Sequence, residues 1–358
     1  MAKDRRHQVA VAPKREQGGV ERQVSLNAVQ QAALQLPVRP NSDLIRKIEE
    51  IRASRVLSFV LESPIDDSCL GPLYEQLKAI GKIPRIDLFL QSRGGKTELP
   101  WRIVSLIREF CDHFGVLVPY QAHSAATHIA IGADEIVMTP RSELSPVDPT
   151  RTHPLLPGQR DPQTGQEGPP IPTSVQDLKH CVTFVAEELG RMRGSDAVTD
   201  CLTDVVCALF ERVHPLAIGA IEQSYRLGRL ITRKVLLTHL DPEKDKEKIT
   251  RIENQLSDDY RSHHYPICRQ EVRDDLGLNV TFAPEPLETG MEELLQYYVS
   301  MFNAQYQVQA DVPLLPIKNV GFIDTTVQRR ARRAALEVLS PGAANVIASW
   351  WVTPPERT

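Results

Sequence analysis

Between positions 41 and 139 the apolar residues follow two alternating rhythms. The runs RVLSFVLE (55–62), IDLFLQ (86–91), GVLVPY (115–120) and EIVMT (135–139) are nearly continuous in apolar side chains, the pattern of strands covered on both faces. Between them lie helical spacings. Over 41–53, Leu44, Ile45, Ile48 and Ile51 share one stripe, with Asn41 or Ser42 able to cap its start. Residues 67–80 are amphipathic and closed by Gly81, 99–114 carry apolar residues at helical spacing, and 125–132 form a short helix. Strands alternating with helices predict an α/β fold with a mostly parallel sheet and crossover helices.

The rhythm breaks at 150–174, where Pro and Gly crowd together (HPLLPGQRDPQTGQEGPPIPTS). This stretch is an exposed loop, and a loop of that length inside a domain often serves as a lid or a substrate-binding edge. Beyond it the spacing turns helical, over 175–193, 197–213, 215–239, 242–258 and 266–276. Pro215 and Pro266 suit first turns, and Gly194 and Gly277 suit helix ends. Residues 279–283 form a short late strand and 291–305 a further helix. Residues 1–40 are polar and aperiodic, a flexible arm at least to Gln23. The tail holds an arginine-rich stretch, QRRARRAALEV, which reads as a solvated helix face or a flexible tail. Trp350 and Trp351 follow, placed to dock on a neighbouring subunit or to cover the chain's own core. The expected organisation is an arm (1–40), a catalytic-type domain (41–290) and a C-terminal extension (291–358).

Composition narrows the function classes. The 358 residues suffice for one large domain or two modest ones. Formal net charge is -4, so no basic field is available for a nucleic acid backbone. The 6 cysteines form no C-x-x-C pair and no zinc-type spacing with histidine; they read as buried reduced thiols, and no metal is expected. The first residues lack an apolar run of leader length, and nothing reaches the roughly 18 uncharged apolar residues of a span. A soluble, cytoplasmic protein is expected.

Two short segments can carry chemistry. Ser92-Arg93-Gly94-Gly95 follows the strand IDLFLQ. Paired glycines let the backbone turn sharply and expose N–H groups able to bind a developing oxyanion, or they make a tight turn with no further role. His123-Ser124-Ala125-Ala126 lies between the strand GVLVPY and the next helix. A serine there is either a plain N-cap or a nucleophile at a helix N-terminus, where free N–H groups favour an anion.

The two segments are followed by GADEIVM (132–138) and SELSPVDP (142–149). The combined run S-x-G-G, A-x-S-A-A, GADEIVM, SELSPVDP resembles the Clp-protease/crotonase superfamily and, within it, the serine dehydrogenase proteinase family. The resemblance extends over about 55–280, is strongest over 88–150, and includes HPLAIGAIEQSYR (214–226) and SHHYPICRQE (262–271). It leaves out residues 1–40 and the C-terminal tail. It implies a spiral of ββα units with a helical excursion and a mostly helical C-terminal part. It also implies a serine protease acting on protein or peptide substrates, with no cofactor, assembled as a homo-oligomer. Any unfoldase or regulatory partner would be a separate chain. By this resemblance Ser124 is the nucleophile and the Gly95 and Ala125 N–H groups are the oxyanion donors. The histidine that Clp proteases carry about 25 residues after the serine is absent; Asp148 stands near that point. The Ser, Asp, His order of the serine dehydrogenase proteinase family then points to Asp148 and His263.

Chemistry alone leaves the base open. A serine hydroxyl needs a base, and the base works best when a carboxylate orients it. Asp148, in a Pro-flanked turn, is either that carboxylate or an ordinary turn or cap aspartate. Among the histidines, His128 lies four residues after Ser124 and is expected to pack beside the helix, and His123 to face elsewhere. His153 and His180 flank the loop, and His214 reads as a helix entry. His263 and His264 precede a Pro-started helix. A serine–lysine dyad through Lys96 or Lys179 is a further route. Two rival functions share the fold: a crotonase-like acyl-CoA thioester-binding enzyme, and a catalytically inert scaffold.

Overall fold

The computed structural model describes residues 41–354 apart from 161, 163, 194–197, 308–315 and 341–342, together with 30, 31, 34 and 36. The expected N-terminal arm falls almost wholly outside the described residues. The chain divides into two compact units, one formed by 41–300 with 321–330, the other by 1–40, 301–320 and 331–358.

In the first unit the apolar runs become a parallel sheet. Strands β1 (Arg55–Leu61), β2 (Ile83–Ser92), β3 (Cys111–Val118), β5 (Glu135–Met138) and β10 (Val280–Phe282) lie in the order β10-β5-β3-β2-β1. All these neighbours pair in parallel. Residues 321–324 add an antiparallel edge against Ser58–Leu61. Six of the seven residues of β1 are buried, because helices cover both faces: α1 (Ser42–Arg52), α2 (Leu70–Ile80), α3 (Leu99–Arg108) and α4 (Ala125–Ile131). Gly81 closes α2 in the left-handed region, its N–H donating to Leu77 O at 2.9 Å.

A second, smaller layer makes the repeat ββα. After β3 comes β4 (Gln121–Ala122) and then α4; after β5 comes β6 (Glu143–Leu144). β4 pairs with the end of β2 and with β6, and β6 pairs antiparallel with β9 (Ile267–Cys268). The α/β spiral with a helical excursion is therefore present. The excursion comprises α5 (Val175–Arg193), α6 (Val198–Arg212), α7 (Pro215–Leu236) and α8 (Lys246–Asn254), followed later by α9 (Arg269–Asp274) and α10 (Glu285–Asn303). The 150–174 loop carries a small hairpin, β7 (Gly158–Arg160) with β8 (Glu167–Pro170), and Arg151 pairs with Thr173 at its neck. Leu156 packs with Val175, Val213, Ala217 and Ile221, so the loop is anchored on the helices it precedes.

Two segments differ from the sequence reading. The expected helix over 99–114 stops at Arg108, and 111–114 begin β3. Ile107, Cys111 and Phe114 fit a helical stripe that runs past the end of the helix. Pairing with β2, Ile83 with Cys111 and Arg85 with His113, decides the matter. The arginine-rich tail segment is neither a helix face nor a free tail. It forms β11 (Arg329–Ser340), which lies in the second unit from residue 331 onward, paired antiparallel with β12 (Ala343–Val352), which sets Trp350 and Trp351 across from Arg333 and Arg332. Arg333 is fully buried; its guanidinium donates to Asn319 Oδ1 at 3.3 Å and to the Leu36 carbonyl at 2.5 Å. A buried guanidinium survives where its donors find such acceptors.

Candidate active site

The second layer gathers the residues singled out in the sequence. Ser92 pairs with Ala122, so Gly94 and Ser124 stand two residues beyond the same rung. Ala122 pairs with Leu144, and Leu144 with Ile267 in antiparallel register. Asp148 follows Leu144 of β6 and His263 precedes Ile267 of β9, so both lie in the segments just beyond the end of this pair. One short ladder thus brings segments from 92, 122, 144 and 267 to a common end.

Ser124 sits at the N-terminus of α4 with φ 53° and ψ -114°, a conformation that costs a non-glycine residue about 1–3 kcal/mol and persists only when its surroundings enforce it. Those surroundings are specific. The Ser124 N–H donates to Ser145 Oγ at 2.8 Å, and its carbonyl accepts from His128 N–H at 3.2 Å. The Ser145 N–H in turn donates to Thr127 Oγ1 at 3.1 Å. Ser145 belongs to the SELSPVDP run, yet sequence reasoning gave it no role; a hydroxyl aimed at a strained N–H is visible only in three dimensions. The Ser124 side chain is half-buried and reachable from solvent.

Each glycine of the pair has its own duty. Gly94, at φ 101°, lies against the serine: a Cβ there would sit 2.8 Å from Ser124 Cβ, 2.8 Å from His123 O and 3.1 Å from Ala125 N. Gly95 lies against Ile65, where a Cβ would meet Ile65 O at 2.2 Å. Ile65 N–H donates to Gly94 O at 2.8 Å and Lys96 N–H to Ile65 O at 2.9 Å. In such a parallel bridge the N–H of Gly95 itself points to the opposite side. At the first turn of α4 the Ala125 N–H is one of the four donors a helix leaves free.

Asp148 is 4% exposed, in a turn clamped from two sides. Val147 N–H donates to Leu256 O at 2.9 Å, and Gly228 of α7 lets that helix come close, a Cβ there standing 3.4 Å from Val147 O and from Pro149 Cδ. Burial raises the Asp148 carboxyl to about 6, with Asp177 and Asp258 adding to the effect and the Ser174 hydroxyl bond and Lys179 opposing it. His263 is half-buried. Burial and then His264 hold its pKa below the ordinary range, while the Asp148 backbone carbonyl favours the protonated ring. A histidine so shifted is neutral at pH 7, the form able to accept a proton. The structure therefore brings Asp148 and His263 into one neighbourhood. Among the described residues no hydrogen bond joins the Ser124 hydroxyl to an imidazole.

The other candidates have other partners. His128 is buried, its Nε2 2.9 Å from Thr232 Oγ1, and burial depresses it to about 4; it packs beside the helix and joins α4 to α7. His123, expected to face away, instead forms the imidazole–carboxylate pair nearest in sequence to Ser124, its Nε2 3.0 Å from Glu143 Oε1. Burial lowers its pKa and Glu143 opposes the shift. The lysine dyad finds no support. Lys179 donates to Asp258 at 2.7 Å; burial works to lower its pKa, but Asp258 and Tyr225 hold it above the ordinary value. Lys96 donates to Asp67 at 2.6 Å, which also raises it. A lysine base needs a lowered pKa. Among the described residues no group of His, Cys, Asp and Glu could hold a metal ion, and no helix is long and apolar enough to cross a membrane.

No family model matches the chain. It is 27% identical over 222 residues to uncharacterized protein MJ0137 of Methanocaldococcus jannaschii, covering 61% of this chain and 62% of that protein. It is 31% identical over 117 residues to uncharacterized protein MJ1495 of the same organism, covering 29% and 40%. The chain thus spans less than two thirds of the length of these curated relatives. Among solved structures, it is similar to a ClpP1 mutant from Listeria monocytogenes (TM-score 0.34, 13% identity, 67% of this chain and 98% of that one). It is also similar to the ClpP protease catalytic domain from Plasmodium falciparum (0.33, 10%, 67% and 90%). A mutant of the 1510-N membrane-bound stomatin-specific protease gives 0.24 at 17% identity, over 38% and 63%.

Proposed function

We propose that this chain is a serine hydrolase that cleaves peptide bonds through an acyl-enzyme on Ser124. The carrying observation is the contact between Gly94 and Ser124: only a glycine fits where a Cβ would stand 2.8 Å from the serine Cβ. In this reading the Gly95 and Ala125 N–H groups serve a strained, accessible hydroxyl. In this reading the Ser124 oxygen attacks the scissile carbonyl while neutral His263 takes its proton. The carbonyl oxygen, becoming an anion, receives the two N–H groups. His263 then returns the proton to the leaving amine, and a water repeats the sequence to free the enzyme. Asp148 orients the imidazole and steadies its charge. Protein or peptide substrates and a homo-oligomeric assembly belong to the same proposal.

A fluorophosphonate probe tests it. Such a probe phosphonylates an activated serine, so the protein takes the label at Ser124, and Ser124→Ala abolishes it. Loss of a triad member typically lowers rate by ~10⁴-fold, so His263→Ala and Asp148→Ala label far more slowly. Labelling that persists in Ser124→Ala, or an unlabelled protein that binds coenzyme A, sinks the proposal.

A further inference from the structure

His263 rides on a short turn whose two ends are joined by a pair of rings. Tyr260 and Tyr265 stack with centroids 4.9 Å apart and planes 22° from parallel, and residues 261–264 lie between them. A stack this close is worth more than the area it buries. Inside the turn, Tyr265 N–H donates to Ser262 O at 3.1 Å and His264 N–H to Ser262 Oγ at 3.3 Å. Arg261 is held at φ 56°, a conformation that persists in a non-glycine residue only where its surroundings enforce it. His263 depends on that support: its Nδ1 is buried with no hydrogen-bond partner among the described residues, and the His264 ring meets it edge-on at 5.6 Å.

Both ends of the turn are fastened to the segment that carries Asp148. Tyr260 closes the π-helical turn Gln255–Asp259, whose Leu256 O accepts from Val147 N–H at 2.9 Å. Tyr265 precedes β9, whose Ile267 pairs with Leu144. The Tyr265 hydroxyl donates to Glu271 Oε1 at 3.0 Å, and the other oxygen of that carboxylate accepts from Cys268 N–H at 3.2 Å. Tyr265 is thus fixed to α9 and β9, Tyr260 to the helical turn before it, and the ring contact closes the gap between the two.

Resting on the proposed roles of Ser124 and His263, we infer that Tyr260 and Tyr265 are positioning residues whose ring stack fixes the His263 turn where its imidazole can serve Ser124. The rings do this with their faces, so Phe at 265 can replace Tyr and a short aliphatic residue cannot. Tyr265 is 39% exposed, so its truncation empties no core cavity, and the effect falls on the turn rather than on the fold. The groups facing His263 are His264, His123 and Asp177, with the Asp148 carbonyl.

The test uses the full chain and three readouts: fluorophosphonate labelling as a function of probe concentration, the His263 titration followed by NMR, and urea denaturation. Tyr265→Ala is expected to slow the saturating labelling rate by at least about tenfold while the half-saturating probe concentration stays within about twofold of native. His263 in that variant titrates at higher pH, because a turn set loose admits water to a ring that burial holds low. Tyr265→Phe, which keeps the ring and loses the Glu271 bond, restores the native titration and a rate within about threefold of native. Tyr260→Ala and the double variant Tyr260→Ala/Tyr265→Ala fall to the level of Tyr265→Ala, because each removes the same contact. A native labelling rate or an unchanged His263 titration in Tyr265→Ala overturns the inference, as do losses that multiply in the double variant. Tyr265→Phe as slow as Tyr265→Ala overturns it too, since the hydroxyl and not the ring would then hold the turn. Should urea show Tyr265→Ala to be unfolded, Tyr265→Leu, which keeps bulk without the ring, takes its place with the same expected and refuting results. Should the native protein take no label at Ser124, the hydrolase reading fails, yet the His263 titration in Tyr265→Ala still decides whether the stack places the imidazole.

Discussion

Gly94→Ala probes the contact on which the site depends. The native φ of 101° belongs to a region that L side chains rarely adopt, and entering it costs about 1–3 kcal/mol. The new methyl meets Ser124 Cβ and His123 O at 2.8 Å and Ala125 N at 3.1 Å. Two of these are backbone atoms and cannot swing aside, so overpacking adds about 1–3 kcal/mol more. The sum, ~2–6 kcal/mol, is a large part of the ~5–15 kcal/mol that holds an ordinary domain together. It corresponds to a drop in Tm of about 5–15 °C at this size. If the loop yields instead, Ser124 and the proposed oxyanion donors separate, and a displacement of ~1 Å costs about 10²-fold in rate. Thermal denaturation and fluorophosphonate labelling read the two outcomes. Gly219→Ala is the control: it lies in exposed helix with nothing within 4 Å of its Cβ and should stabilise by about 0.5–1 kcal/mol. A Gly94→Ala protein that melts within a degree of native and labels at the native rate would refute both the contact and the mechanism built on it.

Three other outcomes follow from the same geometry. Ser124→Gly relieves the left-handed strain at φ 53° and should raise stability by about 1 kcal/mol in chemical denaturation while abolishing labelling. Ser145→Ala removes the acceptor of the Ser124 N–H, 2.8 Å away; a stability loss of about 1–2 kcal/mol with labelling slowed tenfold or more is expected, and native behaviour would show the bond to be idle. The third outcome is a pH dependence. Asp148, raised by burial to about 6, stays protonated in the folded chain after the unfolded carboxyl has ionised. Its contribution is thus fully favourable below about pH 4 and is lost as pH rises towards 6. Asp148→Asn, which cannot ionise, should therefore be more stable than native by on the order of 2–3 kcal/mol at pH 7 and equal to it at pH 4; urea titrations at the two pH values check the sign.

Much of this was legible in one dimension. Unbroken apolar runs at 55–62, 86–91 and 115–120 can only be strands covered on both faces, and the helical stripes between them require crossovers. That is enough to set an α/β sheet whose strands end at Gly94-Gly95 and near Ser124. A serine between a strand and a helix, with glycines after the preceding strand, is a local pattern, so local reasoning reaches it.

What tertiary structure alone decided are the choices among equals. Both glycines looked alike, but packing gives Gly94 to the serine and Gly95 to Ile65. His128 and His263 were both histidines near useful helices; burial against Thr232 removes the first from the site, while the second lies by the Asp148 backbone carbonyl, just beyond the β6–β9 pair. The arginine-rich tail reads as solvated until a partner strand and the Asn319 amide show a buried guanidinium to be satisfied. In each case the deciding energy comes from residues distant in the chain, whose approach no short window of sequence can reveal.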